Sequence, residues 1–208
     1  LSSEPTSAEE VRLWVESRME KRDPFERVAR ASDEHRAQHG CDVYRSSNGP
    51  LLGVLTAAMK PKRILETGCG LGYSALWLAF GSSPNGTVET IEKDSTHAEL
   101  ARKHFDEEGF GSRITVKVGR LQDLLPELRG PYDFVFHDSN IPGGWELEQY
   151  ARLVRPGGVL ATSNLFLGQH DPTIPDLPRG AEYRDLLLND DRWMTAFAGN
   201  WMALSVRK

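Results

Sequence analysis

Residues 64–74, with the sequence Ile-Leu-Glu-Thr-Gly-Cys-Gly-Leu-Gly-Tyr-Ser, decide the fold of this chain. The apolar start is typical of a buried strand, and the glycines at 68, 70 and 72 predict a tight turn that opens a helix near Ser74. Glycine is needed where the backbone bends sharply and comes close to a ligand. A dinucleotide site would have the pattern Gly-x-Gly-x-x-Gly. Here Tyr73 stands where that pattern needs its third glycine, so a nicotinamide dinucleotide site is disfavoured.

The chain after this segment alternates between strand-like and helical stretches. We predict strands at 63–67, 87–92, 113–118, 132–138 and 159–163, and helices at 74–80, 96–108, 121–128 and 145–154. This alternation predicts a parallel sheet with helices on both faces. Two further strand-like runs, 192–198 and 201–206, flank Gly199-Asn200, which is a two-residue hairpin signal. The predicted fold is therefore α/β and Rossmann-like: a doubly wound, mostly parallel seven-stranded sheet with a C-terminal antiparallel hairpin.

The N-terminal part of the chain predicts extra helices before the sheet. Ser7 with Glu10 three residues later is a capping-box signature, a second helix follows Pro24 and fades near Gly40, and a third runs from Gly49 to Met59. We expect one domain over 1–208, in which 1–45 supply helices that act as a lid or dimer region and 46–208 form the core. We expect a loop at 169–179.

Composition indicates what kind of ligand this protein binds and in which cellular compartment we expect it. A formal net charge of −5 over 208 residues disfavours a nucleic-acid partner, because phosphate backbones are bound by basic faces. No apolar run approaches the roughly 20 residues that span a bilayer. The two cysteines, Cys41 and Cys69, imply no disulfide framework. We expect a soluble cytoplasmic protein that acts on a small molecule and forms a homodimer through its N-terminal helices.

The pattern Glu-x-Gly-x-Gly-x-Gly, starting at Glu66, resembles the first motif of class I methyltransferases, whose cofactor is S-adenosylmethionine. Gly-Tyr-Ser after the turn, the run Tyr-Asp-Phe-Val-Phe-His-Asp at 132–138 and Arg-Pro-Gly-Gly at 155–158 extend the likeness. Together with the closing hairpin, they resemble the small O-methyltransferases of the catechol and caffeoyl-CoA type over about residues 43–208. This resemblance implies methyl transfer to a hydroxyl group of a small acceptor.

The resemblance also implies which residues line the cofactor site. An acidic residue in the position of Glu66 suits the ammonium group, directly or through the turn backbone, and the helix N-terminus with Ser74 suits the carboxylate. Glu92, twenty residues after Gly72, would accept hydrogen bonds from the ribose hydroxyls, and residues 119–123 would meet the adenine. The expected cofactor-binding residues are Tyr44, Glu66, Gly68, Cys69, Gly70, Gly72, Ser74, Glu92, Leu121, Gln122 and Asp138.

The catalytic pattern departs from that family. Most members hold a divalent cation between an aspartate after the fourth strand and an Asp-Asn pair after the fifth, and a lysine removes the acceptor's proton. Asp138 is present, but Ser163-Asn164 lacks the second carboxylate and Ile141 stands where the lysine should be. A divalent cation relies on carboxylate charge, so we expect weak metal binding or none.

Histidines are the alternative bases. We name Asp138 and His170 as candidate catalytic residues, because His170 lies six residues past Asn164, where a histidine over the acceptor pocket could take a proton near neutral pH. The alternative is that His170 is an exposed loop residue with no catalytic role. Strand alternation turns His137 away from Asp138, toward a helix. His35 and His39, one helical turn apart, either belong to a lid or decorate a helix surface.

Three functions stay open on these residues. The first is O-methylation of a small hydroxylated compound, independent of metal or weakly assisted by it. The second is methylation at nitrogen, sulfur or carbon, because a missing metal removes the preference for vicinal hydroxyls. The third is a cofactor-binding protein that has lost catalysis and acts as a regulator or assembly partner.

Overall fold

The structure is a computed structural model, and it describes residues 7, 15, 17–18, 22–44, 48–140, 142–165, 178–198 and 202–208. The predicted capping partner Glu10 and the hairpin turn Gly199-Asn200 lie outside the described residues. No helix in these described ranges is both long enough and apolar enough to cross a membrane.

The described elements alternate between strand and helix from residue 63 to residue 162. In chain order they are α1 (Glu26–His39), α2 (Gly49–Met59), β1 (Arg63–Thr67), α3 (Tyr73–Gly81), β2 (Thr87–Glu92), α4 (Ser95–Glu107), β3 (Ile114–Val118), α5 (Leu121–Leu124), β4 (Tyr132–His137), α6 (Gly144–Leu153), β5 (Val154–Thr162), α7 (Pro178–Asn189), β6 (Trp193–Ala198) and β7 (Met202–Arg207). A short 3₁₀ turn, Leu125–Glu127, follows α5.

All seven strands form one sheet in the order β3-β2-β1-β4-β5-β7-β6. The pairs from β3 to β5 are parallel, whereas β7 runs antiparallel to both β5 and β6. The order reverses between β1 and β4, and such a switch point opens a crevice beyond the carboxyl ends of the strands. The predicted fold class is confirmed, including the antiparallel pair at the C-terminal end.

Both faces of the sheet are covered by helices. Ile64 and Phe134 pack into one buried cluster with Leu76 of α3 and Phe105 of α4. Their chain neighbours Leu65 and Val135 point the other way, into a second cluster that includes Tyr150 of α6. Because adjacent residues on one strand are buried on opposite faces, the strands read as continuous apolar runs.

The structure corrects several predicted boundaries. The fifth strand begins at Val154 rather than at residue 159, with a register shift opposite 132–134 that lets Arg155-Pro-Gly-Gly enter the strand. The helix predicted over 121–128 changes to a 3₁₀ turn at Leu125, next to Pro126. The fourth strand ends at His137, one residue before Asp138.

The largest correction is the helix α7, which the sequence analysis did not predict. Pro178 and Arg179 open this helix although they were assigned to a loop, and residues 169–177 of that loop lie outside the described part of the chain. Its inner side carries Tyr183 and Leu187, both buried and one helical turn apart. The signal was weak because only these two positions are deeply apolar on a face otherwise rich in charge.

Candidate functional site

A cleft of about 1240 Å³ opens at the carboxyl ends of β1, β2 and β4. Nine of the eleven predicted cofactor residues line it, namely Tyr44, Gly68, Cys69, Gly70, Ser74, Glu92, Leu121, Gln122 and Asp138. The structure thus brings together residues from the segment after α1, the glycine turn and the ends of three strands. Glu66 and Gly72 are the two that do not line it.

The glycine turn lies against the loop that follows β4. Gly68 has a φ of 94°, and a Cβ at this position would lie 2.4 Å from the backbone oxygen of Asp138. Gly70 has a φ of 51°, and a Cβ there would find only Val43 at 3.6 Å. The first glycine is therefore required by a close backbone approach, whereas the second leaves open space beside the turn.

Gly72 does not line the cleft, and its close neighbour is a side chain of α4. A Cβ on Gly72 would lie 2.4 Å from the ring of Phe105, and its φ of 96° places it in the left-handed region at the start of α3. This glycine lets α3 pack closely against α4. Its contribution to a cofactor site is consequently indirect, through the position of the helix N-terminus.

Glu92 is 7% exposed and organises the turn itself. Its Oε2 accepts a hydrogen bond from the Gly70 N–H at 2.8 Å, and its Oε1 accepts one from the Asp94 N–H at 3.0 Å. An ionised carboxylate has about four lone-pair positions, so further donors can be accommodated. Glu92 therefore both holds the glycine turn in place and offers negative charge to the cleft.

Glu66 lies behind the turn, which corrects the prediction that it could contact the cofactor directly. The side chain is fully buried, and its Oε2 accepts a hydrogen bond from the Thr90 hydroxyl at 2.6 Å. Oε1 has no hydrogen-bond partner among the described residues. Burial, reinforced by the negative charges of Asp138 and Glu92, raises the pKa of Glu66 to about 8. The group is therefore mainly protonated at neutral pH, because helices cover both faces of β1 and keep water out.

Asp138 meets Ser163 and Asn164 at the ends of two adjacent strands. The Ser163 hydroxyl donates a hydrogen bond to Oδ1 of Asp138, and the Asn164 amide nitrogen donates to the same oxygen at 3.1 Å. The Asn164 amide also donates to the Ser139 carbonyl at 3.1 Å. The three positions that the sequence analysis compared with the family's metal ligands are thus together in space, but both neutral side chains act as donors to the single carboxylate.

His137 faces away from Asp138, as strand alternation predicts. Its Nε2 lies 2.6 Å from the Asn140 carbonyl, and its Nδ1 lies 2.5 Å from the Tyr150 hydroxyl. A carbonyl only accepts, so Nε2 carries the proton and Nδ1 accepts from Tyr150. Burial lowers the pKa of His137 to about 4. This neutral histidine connects the loop after β4 to the helix α6, and both of its ring nitrogens are occupied by these contacts.

The sequence analysis missed a buried acid that lines the same cleft. Glu146 is 5% exposed, and its Oε2 accepts a hydrogen bond from the Gly143 N–H at 2.8 Å. Gly143 has no side chain to complete a capping box, so the signal in the sequence was weak: an acid three residues after a glycine that precedes a helix. His170 and Ile141, the two other residues of the catalytic analysis, lie outside the described residues.

The sheet order and the glycine-turn cleft define a doubly wound α/β protein with a ligand site at its switch point. The chain belongs to the O-methyltransferase family, whose model matches residues 26–189. This membership confirms the family that the motifs resemble.

Relatives in sequence support the same assignment. A catechol O-methyltransferase of Mycobacterium tuberculosis is 38% identical over 125 residues, which cover 59% of this chain and 57% of that protein. A catechol O-methyltransferase of Niastella koreensis is 36% identical over 125 residues, which cover 58% of this chain and 57% of that protein. The chain thus matches less than two thirds of the length of these two relatives. A Mycobacterium avium relative aligns further, with 34% identity over 186 residues that cover 85% of this chain and 84% of the relative.

Solved structures match the fold over most of the chain. Cofactor-bound Rv0187 from MTB superimposes with a TM-score of 0.80 at 27% sequence identity. The match covers 100% of this chain and 99% of the Rv0187 chain. The O-methyltransferase TomG from Streptomyces achromogenes, in complex with SAM, has a TM-score of 0.74 at 28% identity and covers 87% of this chain and 89% of its own.

Proposed function

We propose that this protein transfers the methyl group of S-adenosylmethionine to a hydroxyl group of a small acceptor, with no divalent cation or with only weak assistance from one. The observation that carries the proposal is the cleft in which the glycine turn, Glu92 and Asp138 face one another. The solved structure of TomG, which has a similar fold, is a complex with SAM. This similarity supports the same cofactor for the present protein.

The residues of the cleft fit this cofactor chemically. The cofactor is cationic at its ammonium and sulfonium groups, and when bound it supplies an activated methyl group. Glu92 would accept from the ribose hydroxyls, while the N-terminus of α3 with Ser74 would receive the carboxylate. Asp138 would give the ammonium side its negative charge, while Glu66, mainly protonated, lies buried behind the turn. The open space beside Gly70 leaves the turn backbone accessible.

The size of the cleft supports a second ligand beside the cofactor. Ligand pockets usually measure about 300–1,000 Å³, and this cleft reaches about 1240 Å³. Its lining also includes Asn164 and Glu146, which are polar groups that can orient an acceptor. Relatives named catechol O-methyltransferases make catechols a natural class of acceptor to test.

The donor set does not suit a hard divalent cation. Mg²⁺ needs oxygen lone pairs and carboxylate charge to offset its dehydration. Here the Ser163 hydroxyl and the Asn164 amide direct hydrogens at Asp138, which is the single carboxylate of the three. Both neutral donors direct their hydrogens at the same oxygen, Oδ1 of Asp138. The acceptor must therefore be acidic by itself or lose its proton to a protein base, for which we propose His170.

Thermal unfolding tests the cofactor. S-adenosylmethionine and S-adenosylhomocysteine at about 100 times their Kd should each stabilise the fold by about 2.7 kcal/mol. For a chain of this length, that free energy corresponds to a Tm rise of roughly 5–10 °C. NAD should leave the Tm unchanged, because the turn lacks the third glycine of a dinucleotide site. A rise with NAD and none with S-adenosylmethionine would overturn the proposal.

A turnover screen against phenols, catechols and amines, run with and without EDTA, tests the reaction and its metal dependence. We expect methylation of a hydroxyl acceptor at a rate that EDTA does not change. Abolition by EDTA with rescue by Mg²⁺ would refute metal independence. Tight binding of S-adenosylhomocysteine with no turnover of any acceptor would favour the alternative of a catalytically inactive binding protein, and turnover of amines alone would favour N-methylation.

The variant His170→Ala tests the proposed base. General-base catalysis contributes about 10²–10⁴-fold, so kcat should fall at least tenfold while the affinity for S-adenosylhomocysteine stays the same. Gln169→Ala, a change of the neighbouring residue, is the matched control and should retain full activity. Full activity in His170→Ala would show that this histidine is not the base and would favour the alternative of an exposed loop residue.

A further inference from the structure

Three metal-ligating side chains meet at the rim of the cleft, away from the Asp138 group. They are His35 on α1, Cys41 just after that helix, and His97 on α4. One ligand atom from each lies within 4.8 Å of those of the other two. Two imidazoles and a thiol at this separation need only small side-chain rotations to meet a common ion, since Zn–N and Zn–S bonds are about 2.0–2.3 Å long.

We propose that His35, Cys41 and His97 bind a borderline-soft divalent cation of the Zn²⁺ class. Imidazole and thiolate ligands select such cations, whereas Mg²⁺ and Ca²⁺ prefer oxygen. Three protein ligands leave the fourth tetrahedral position for a water molecule or another ligand. Binding releases the thiol proton of Cys41, because the thiolate is the form that ligates the metal.

Local structure explains why the three residues come together. The helix α1 ends at His39, and Gly40 has a left-handed φ of 62° that turns the chain so that Cys41 comes back beside His35. On the other side, the Asp94 carboxylate accepts hydrogen bonds from the N–H groups of Thr96 and His97 at 2.7 and 3.1 Å. This cap fixes the first turn of α4 and with it the backbone of His97.

A carboxylate beside one of the rings adds an independent observation. Oε1 of Glu92 lies 3.9 Å from Nδ1 of His97, and metal-ligating histidines commonly have a carboxylate next to the ring that orients it. The rings of His35 and His97 have centroids 5.2 Å apart at an interplanar angle of 83°, so the imidazoles meet edge to face rather than stacked. Both features suit convergence on one ion.

The three ligands lie where a bound cation would connect two helices beside the cofactor cleft. Cys41 and His97 both line the cofactor cleft, and Glu92 is the acid that holds the glycine turn. A bound cation would tie the end of α1 to α4 at the mouth of this cleft. This inference does not depend on the proposed methyl transfer, because it rests on residues outside the Asp138 group and its test measures metal binding alone.

Titration of the reduced protein with Co²⁺, a spectroscopic substitute for Zn²⁺, tests the site. We expect one equivalent to bind with a thiolate-to-cobalt charge-transfer band, Zn²⁺ to displace it, and excess Mg²⁺ to leave it unchanged. Cys41→Ser should remove the band, and His35→Gln and His97→Gln should each weaken binding by more than about tenfold. Glu34→Gln is the matched control: Glu34 is exposed on the same helix and outside the group, so the affinity of this variant should stay within about twofold.

A second measurement keeps the test decisive if a variant folds poorly. In the unmodified protein, Zn²⁺ should slow the alkylation of Cys41 by iodoacetamide more than tenfold, as followed by mass spectrometry. The assignment would be overturned if no charge-transfer band formed or if the band survived Cys41→Ser. It would also be overturned if Glu34→Gln lost as much affinity as His35→Gln. Alkylation of Cys41 at the same rate with and without Zn²⁺ would overturn it as well.

Discussion

The hydroxyl of Ser163 donates a hydrogen bond to the carboxylate of Asp138, and this pair joins the ends of β5 and β4. The family resemblance described in the sequence analysis implies a second aspartate at the position of this serine. A neutral donor stabilises an isolated carboxylate, whereas a second carboxylate would repel it unless a cation lay between them. One side chain thus decides whether this corner of the cleft attracts a hydrogen bond or a metal ion.

Replacing Ser163 by aspartate should convert the hydrogen-bonded pair into a cation site. Without metal, Ser163→Asp should lose about 1–3 kcal/mol of unfolding free energy, because the donor is lost and like charges face each other. Millimolar Mg²⁺ should restore several degrees of Tm in this variant and leave the unmodified protein unchanged. Ser163→Ala, which removes the donor without adding charge, is the control. A Mg²⁺ response of the unmodified protein as large as that of Ser163→Asp would contradict the argument.

Removing the carboxylate of Glu92 should weaken cofactor binding. Hydrogen bonds to a charged group contribute about 1.5–3 kcal/mol, so Glu92→Ala should raise the Kd of S-adenosylhomocysteine by roughly 10- to 150-fold in calorimetry. The loss includes the support that Glu92 gives to the Gly70 N–H. Glu99→Ala, an exposed acid on α4, should keep the original affinity. An unchanged affinity in Glu92→Ala would show that neither a direct contact with the cofactor nor the support of the turn by Glu92 contributes to binding.

A methyl group on Gly68 should disturb both the fold and the cleft. Gly68→Ala combines a left-handed φ of 94° with a Cβ position 2.4 Å from the Asp138 carbonyl, so it should cost about 3 kcal/mol or more. Gly109→Ala is the matched control, because its φ of 78° is similarly strained but nothing lies within 4 Å of the added atom. It should cost only about 1 kcal/mol. Chemical denaturation measures both, and equal losses would mean that the contact with β4 can relax freely.

Burial of Glu66 should make stability fall as the pH rises. The pKa of Glu66 is raised from 4.5 to about 8 in the folded state, so the unfolded chain releases this proton at lower pH. The stability that the neutral form contributes is full below about pH 4.5 and is lost toward about pH 8, by about 1.4 kcal/mol for each unit. Glu66→Gln is neutral throughout, so its unfolding free energy should decline less over this window.

Urea unfolding at a series of pH values measures this effect. Glu127→Gln, a change of an exposed acid, is the control and should follow the pH dependence of the unmodified protein. If Glu66→Gln declines with pH as steeply as the unmodified protein does, then Glu66 is not protonated in the folded state.

Local sequence determined the elements that surround the site. The observed bounds of β1 and β2 are those predicted, because apolar runs bounded by glycine, proline and charged residues carry strand signals within a few residues. The glycine turn was equally predictable from the sequence, because only glycine adopts its positive φ angles at low energetic cost. The helix α7 was not, because its burial depends on two contacts with the sheet rather than on a full apolar face.

The sequence by itself determined the fold, the family and the set of strand ends that carry polar groups, since each of these follows from patterns along neighbouring residues. Tertiary structure alone decided what those groups do. It buried Glu66 behind the turn, placed Gly72 against Phe105, and brought His35, Cys41 and His97 together from two helices and a loop. The physical reason is that pKa values, close contacts and ligand geometry depend on which distant segments pack together, and no local pattern records those distances.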